Sequence, residues 1–263
     1  MPETKEKYRA PALEKGLDIL ELLSSHSDGL AQGDIARALD RSQSEIYRML
    51  STLVRRGYVI RSSESELYLL SLKLFVISQK FPPIERLVEV ATPKMRAVTR
   101  QAWQSCHLGT ENNGDIVVIA SVQTPGNWGL ALRAGSVIGL GNTGTGRVLA
   151  AFRSDDDIGS LLDAHTLAQG EPDIDRSEFM DHVARIRELG YEQMPSATAV
   201  GVTNMAYPVL NHEGRAIAVV NCPYLQRIDQ FDVPSIEEVH ILYRGLALEL
   251  SDYYSGKMAA DEG

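Results

Sequence analysis

A chain of 263 residues, 44% hydrophobic and 23% charged, can bury one large core or two ordinary ones, which excludes wholesale disorder. Its net charge of −9 excludes nucleic-acid binding by bulk electrostatics, but the charge is unevenly placed: ten Lys/Arg face nine Asp/Glu in residues 1–61, and sixteen face twenty-six in the rest. No run approaches the ~18 apolar residues of a membrane span, the charged segment 1–9 does not read as a signal peptide, and Cys106 and Cys222 form no CxxC motif, so a cytoplasmic protein with reduced thiols and no membrane partner is expected.

In chain order, Leu13, Leu17 and Leu20, widened by Ile19, Leu22 and Leu23, predict a helix over 12–25 that Asp28 and Gly29 end. A short helix follows over 32–39, with Asp34 in its first turn, and then a tight connection at Asp40 and Arg41. The next helix, 42–56, opens on a capping box with Ser42 at N-cap and Glu45 at N3. Ile46, Met49, Leu50 and Leu53 form its inward stripe, and Ser44, Arg48, Ser51 and Arg55 share the opposite face. Gly57 stands where a left-handed residue closes a helix. Short strands over 58–61 and 67–70 flank a polar turn. Three helices and a hairpin in this order predict a winged helix-turn-helix.

An apolar helix is expected over 69–81; a small domain cannot bury both its faces, which points to a dimer contact, and Pro82 and Pro83 break it. Beyond it the reading is a helix over 86–104, a hairpin over 105–123 turning at 112–115, a strand within 129–141, helices over 145–153, 156–163 and 177–189, a second hairpin over 203–224, and a closing helix over 235–254 capped by Ser235. Mixed helices and antiparallel hairpins predict an α+β sensor-like domain rather than a βαβ repeat.

The exposed face of helix 42–56 carries the strongest site signal. Reading a major groove needs short polar side chains and Arg near a helix N-terminus. Ser42, Gln43, Ser44, Tyr47, Arg48 and Ser51 meet that description, while Arg41, Arg55 and Arg56 are placed for phosphates. A plain solvated face is the competing reading, and the flanking helix, turn and wing favour double-stranded DNA.

Gly139, Gly141 and Gly144 spell a literal GxGxxG, but no buried parallel strand precedes them and no βαβ unit surrounds them, so no nicotinamide cofactor is expected. The stretch 143–146 opens a helix whose free amides suit a carboxylate or phosphate, or else are simply capped. Asn204, Asn221 and Cys222 interrupt apolar strands and either satisfy nearby backbone or face a ligand. The run 155–157 reads as a helix start rather than a metal cluster, Trp103 and Trp128 as packing residues, and no nucleophile motif such as GxSxG is present, so neither metal nor enzyme activity is expected.

Several segments resemble the IclR family of transcription regulators: LEKGLDIL over 13–20, EIYRMLSTL over 45–53 with Arg56, Gly57 and Tyr58, TGTGRVLA over 143–150, RELGY over 187–191, and AYPV over 206–209 with Gly214. The resemblance spans nearly the whole chain. It implies a winged helix-turn-helix over 1–70, a dimerising linker helix over 71–83 and a GAF-like effector-binding domain over 84–263. It also implies a homodimer or dimer of dimers acting as repressor or activator on an operator, and no cofactor. Its effector pocket maps to Leu140, Gly144, Thr145 and Gly146, with Asn204, Asn221 and Pro223 across from them, and the neutral amides there suggest an organic acid or an aromatic catabolite. The chain departs from the family pattern at Arg147, at 196–198 and in an acidic wing with Glu64 and Glu66. A DNA-binding protein with a ligand-free oligomerisation domain, or a nucleotide-cofactor enzyme, are the alternatives.

Overall fold

The computed structural model describes residues 10–229 and 231–256; the charged segment 1–9 lies outside them. The chain divides into two compact units, Met1–Glu85 and Arg86–Gly263, so residues 71–83, read above as a linker, group with the first.

In the first unit α1 (Pro11–Ser24), α2 (Gln32–Ala38) and α3 (Gln43–Arg55) pack around Ile19, Leu20, Leu23, Ile35, Ile46 and Leu50. Each such buried aliphatic contributes ~1.5–3 kcal/mol. The predicted stripe of α1 is displaced: Leu13 and Leu17 are 63% and 48% exposed, because the small core reaches only the C-terminal half of the helix. The turn before α3 is tight. Asp40 takes a left-handed backbone, and the Arg41 amide donates to the Ala36 carbonyl. The wing is β1 (Val59–Arg61) paired antiparallel with β2 (Tyr68–Leu70), and Leu30 adds a bridge to Tyr68. Leu69 and Leu70 therefore belong to the wing, opposite Ile60 and Val59, and not to the helix expected over 69–81. That helix is the shorter α4 (Lys73–Gln79), none of whose residues is buried.

Pro82 and Pro83 open α5 (Pro82–Ala102), whose first turn tolerates a missing N–H. The second unit is built on an antiparallel sheet of order β5-β4-β3-β8-β7-β6. Its strands are β3 (Cys106–Asn112), β4 (Asp115–Val122), β5 (Val137–Ile138), β6 (Glu192–Pro195), β7 (Val202–Leu210) and β8 (Ala216–Leu225). Its helices are α5, α6 (Gly144–Ala151), α7 (Asp155–Ala164), α8 (Arg176–Leu189) and α9 (Ile236–Ser255). Strand alternation sorts the side chains between two cores. Leu108, Met205, Tyr207, Val220 and Cys222 pack with α5 and α9, whereas Ala206 and Val219 pack with α6 and α8. The acidic start of α7 is a helix N-terminus, as expected, with Ser154 as cap and Asp155 paired to Arg187 at 2.9 Å. Trp103 packs edge-on against Phe231 at 5.0 Å, but Trp128, also expected in packing, is 73% exposed on the loop between β4 and β5. Among the described residues no helix is long and apolar enough to cross a membrane.

Candidate functional site

The reading helix α3 is fixed at its start by charge. The Glu45 carboxylate accepts from the Ser42 amide at 3.3 Å and its hydroxyl at 2.9 Å, while Lys15 of α1 reaches it at 2.5 Å. The Lys15 and Ser42 contacts pull the Glu45 pKa from 4.5 down to about 2, so the carboxylate stays ionised. Gln32 of α2 donates to the Gln43 carbonyl at 3.0 Å, joining the two helices of the motif. With Ile46 and Leu50 turned fully inward, Arg41, Ser42, Gln43, Ser44, Tyr47, Arg48, Ser51 and Arg55 are all exposed. The structure brings these eight together at one end and along one face of α3. The Arg48 guanidinium makes no hydrogen bond or ion pair with the described residues and is free for an external partner. The wing is different: Arg61 is tied to Glu66 at 2.9 Å, so little net positive charge is left there for phosphate.

In the second unit, α6 lies over the sheet face that carries His107, Asn221 and Ala206 in one cross-strand row and Asn204 with Pro223 in the next. His107, Asn204, Asn221, Pro223 and the start of α6 line a cavity of about 60 Å³, with Leu130, Ser196 and Thr198 also in its wall. Of the predicted effector residues, Gly144, Thr145, Asn204, Asn221 and Pro223 line it. Leu140 and Gly146 do not; both are buried beneath it, where a Cβ on Gly146 would stand 2.3 Å from the Leu140 carbonyl oxygen. Cys222 points to the opposite core, and burial raises its thiol pKa well above the ordinary value.

The polar inventory of this cavity is unbalanced. Five buried side-chain N or O atoms lack a hydrogen-bond partner among the described residues, and three of them, His107 Nδ1, Asn142 Oδ1 and Asn221 Oδ1, belong to cavity-lining residues. Buried polar groups are normally satisfied within the fold, and here three in the lining are not. A larger hollow of about 460 Å³ beside α9, with Tyr207 and Arg244 in its wall, holds none of these unsatisfied atoms. Thr143 caps α6 by accepting from the Gly146 amide at 3.0 Å, which leaves the Gly144 and Thr145 amides as the open donors of the helix start. No charged side chain lines the cavity.

The GxGxxG glycines have a local explanation. Glu171 lies against Gly139 and Gly141, and a Cβ on Gly139 would stand 2.7 Å from its Cδ. Its carboxylate accepts from the Gly141 amide at 2.7 Å and contacts His165 Nε2 at 2.8 Å, and His165 Nδ1 reaches the Gly114 carbonyl at 2.9 Å. The motif admits a buried carboxylate that fixes the loop leading into α6, not a pyrophosphate.

His107 was not among the residues singled out from the sequence, and Ser196 and Thr198 stood out there only as a departure from the family pattern. His107 offers one usable signal, an imidazole inside the apolar alternation of β3. Its Nε2 meets Thr145 Oγ1 at 3.2 Å, and burial lowers its pKa from 6.5 to about 4. The folded protein therefore keeps it neutral, while the unfolded chain takes up its proton near 6.5. Its stability contribution is fully present above pH 6.5 and is lost as pH falls toward 4, by up to roughly 3 kcal/mol. Denaturant melts of wild type and His107→Gln across that window should diverge, with the variant losing less stability on acidification. Parallel curves would contradict the assignment.

An exposed polar face on the third helix of a helix-turn-helix and a polar cavity at the start of α6 are the parts of a ligand-responsive, DNA-binding transcription regulator. Residues 12–63 match the IclR helix-turn-helix domain, and residues 85–240 match the bacterial transcriptional regulator IclR C-terminal domain. The chain belongs to the IclR family. It is 28% identical to the HTH-type transcriptional regulator XynR of Escherichia coli K12 over 244 residues, covering 90% of this chain and 95% of XynR. It is 30% identical to the regulator KdgR of the same strain, covering 70% of this chain and 71% of KdgR. An IclR homologue from Microbacterium hydrocarbonoxydans, solved in complex with 4-hydroxybenzoate, shares the fold at a TM-score of 0.77 and 18% identity over 93% of this chain and 99% of that one. These relatives are regulators, and this chain is a regulator rather than an enzyme.

Proposed function

We propose that this regulator reads a two-fold operator through α3 as a cytoplasmic homodimer or dimer of dimers, and that a small carboxylate in the α6 cavity sets its affinity for that DNA. Arg48 and Gln43 supply base contacts, Ser42, Ser44, Tyr47 and Ser51 line the same face, and Arg41 and Arg55 hold phosphates. The dimer contact uses the apolar surface after the wing, where Leu72, Phe75 and Phe81 are 78%, 62% and 57% exposed.

One observation carries the effector assignment: the open amides of α6 and the polar residues His107, Asn204 and Asn221 line one cavity. The helix start favours an anion. At ~10–15 Å³ per water, the space of about 60 Å³ holds on the order of four waters, which fits a short organic acid. Ligand control of DNA binding requires that the acid bind the free and operator-bound forms with different affinity.

Gly144→Ala separates the ligand function from folding. Its Cβ would lie 3.1 Å from the Ala206 Cβ, 3.4 Å from Asn221 Oδ1 and 3.7 Å from the Glu192 Cγ, crowding the cavity wall at Asn221 without striking backbone. Thermal-shift titration with acetate, glycolate, lactate, pyruvate and 4-hydroxybenzoate should stabilise wild type with one or more of the short acids and leave Gly144→Ala unmoved. If every short acid failed with wild type, or if both proteins responded alike, the assignment would be wrong.

A further inference from the structure

The larger hollow beside α9 combines apolar walls with one unpaired cation. At about 460 Å³ it falls in the ~300–1,000 Å³ range of small-molecule pockets. Phe152 at the end of α6, Leu210 at the end of β7, and Ala247 and Leu248 of α9 supply the apolar walls. Most polar groups around it are already engaged. Ser251 Oγ accepts from the Leu210 amide at 2.9 Å and donates to the Ala247 carbonyl at 2.7 Å. The Tyr207 hydroxyl meets His240 Nδ1 at 2.9 Å, and Asn211 Oδ1 accepts from the Glu213 and Arg215 amides at 3.0 Å each. Arg244 is the exception: unlike Arg153 and Arg187, which hold carboxylates, its guanidinium makes no hydrogen bond or ion pair with any described residue. Asp252 stands in the same wall but eight residues further along α9, about 12 Å at 1.5 Å per residue, so the hollow is cationic at one end and acidic at the other.

We infer that this hollow is a second small-molecule site, which takes an amphipathic carboxylate with its anionic head on Arg244 and an apolar body of ring or medium-chain size along Leu248, Leu210 and Phe152. Arginine presents a planar fork of donors that a carboxylate meets with two parallel bonds. The apolar walls add attraction in proportion to the apolar area that the body removes from water. An apolar body with a cationic head meets Arg244 as a like charge. The net charge of −9 on the chain acts in the opposite sense, since nonspecific adsorption to an acidic protein favours a cationic amphiphile. Preference for the anion is therefore a signature of the Arg244 end. The assignment does not rest on the α6 cavity, whose lining shares no residue with this hollow.

Calorimetric titration of the full chain with octanoate against octylammonium, and 3-phenylpropionate against 3-phenylpropylammonium, tests this directly. In at least one pair the carboxylate should bind at least about tenfold more tightly than the amine, and the better pair tells a chain site from a ring site. Arg244→Gln, which keeps a long polar side chain without the charge, should weaken that binding about tenfold. Leu248→Glu sets a carboxylate in the apolar wall and should abolish it. Both positions are exposed, Leu248 by 57%, so neither change reaches the core. In NMR spectra the ring signals of His212, which lines the hollow, should shift on titration while those of His107 in the α6 cavity stay in place, and Gly144→Ala should bind as wild type does. Binding that survives Arg244→Gln unchanged, that the amines match, or that moves His107 instead of His212 would overturn the assignment. So would no binding by either carboxylate, including the case in which Leu248→Glu lowers the mass of the particle in solution and gives this face to a second copy of the chain.

Discussion

Arg48→Ala should weaken binding to the operator by roughly 10- to 100-fold per half-site and leave binding to unrelated DNA almost unchanged. The size follows from the ~1–3 kcal/mol that a bidentate Arg contributes to discrimination at a guanine. The structure removes the usual objections to such a test. Arg48 is exposed and lies opposite Ile46 and Leu50, which are fully buried, so truncation spares the core of the unit. Its N-terminal neighbours Ser42 and Glu45 hold the helix start through the capping box and Lys15, so α3 keeps its place. A contrasting result is expected at Arg55, where alanine should weaken binding to all sequences alike and lower the salt dependence by about one counterion. Quantitative gel shifts against specific and competitor DNA separate the two behaviours. A uniform loss on both DNAs for Arg48→Ala would make it a phosphate contact.

Gly146→Ala should destabilise the second unit by about 1–3 kcal/mol or more, a drop in Tm on the order of 5–10 °C. The added Cβ meets three backbone atoms of Leu140, at 2.3, 2.6 and 2.8 Å, and backbone in a buried loop cannot step aside as a flexible side chain could. Calorimetry on the purified chain should show the loss whether or not a carboxylate is present. The contrast with Gly144→Ala is the informative part. Two alanines two residues apart, in the same helix turn, should produce one folding defect and one defect in ligand response. An unshifted transition for Gly146→Ala would mean that α6 rides higher over the sheet than described here.

These two glycines also show where sequence reasoning reaches its limit. The run 143–146 announces a helix start, and both Gly144 and Gly146 can be read from it as pocket residues. Only the fold separates them: Gly146 lies on the Leu140 backbone, whereas Gly144 is part of the cavity wall. Local signals survive well elsewhere. The capping boxes at Ser42 and Ser235 form as their spacing implies, and the hairpin turn at Asn113 and Gly114 has both residues at positive φ. Non-local features do not survive. His107 becomes a site residue because β3 pairs with β8 in a register that sets it opposite Asn221, and no property of β3 alone encodes that register. Strand β6 escapes for a similar reason: Glu192–Pro195 lacks apolar alternation and is held at the sheet edge by β7. Leu13 and Leu17 fit the α1 stripe perfectly well by spacing, yet the core they would join ends at Ile19. The departure at Ser196 and Thr198 is legible as a difference from the family pattern, but that the loop lines the cavity at the start of α6 needs the fold.

If α3 reads sequence, specific contacts must offset a net charge of −9. Footprinting of the full chain on the DNA upstream of its own gene, with excess unrelated competitor, tests it most directly. Discrete protection of two half-sites is expected on one face of the duplex, with centres one helical turn of about 10 base pairs or a multiple apart, abolished by Arg48→Ala. Diffuse protection, or an equal footprint from wild type and Arg48→Ala, would contradict it.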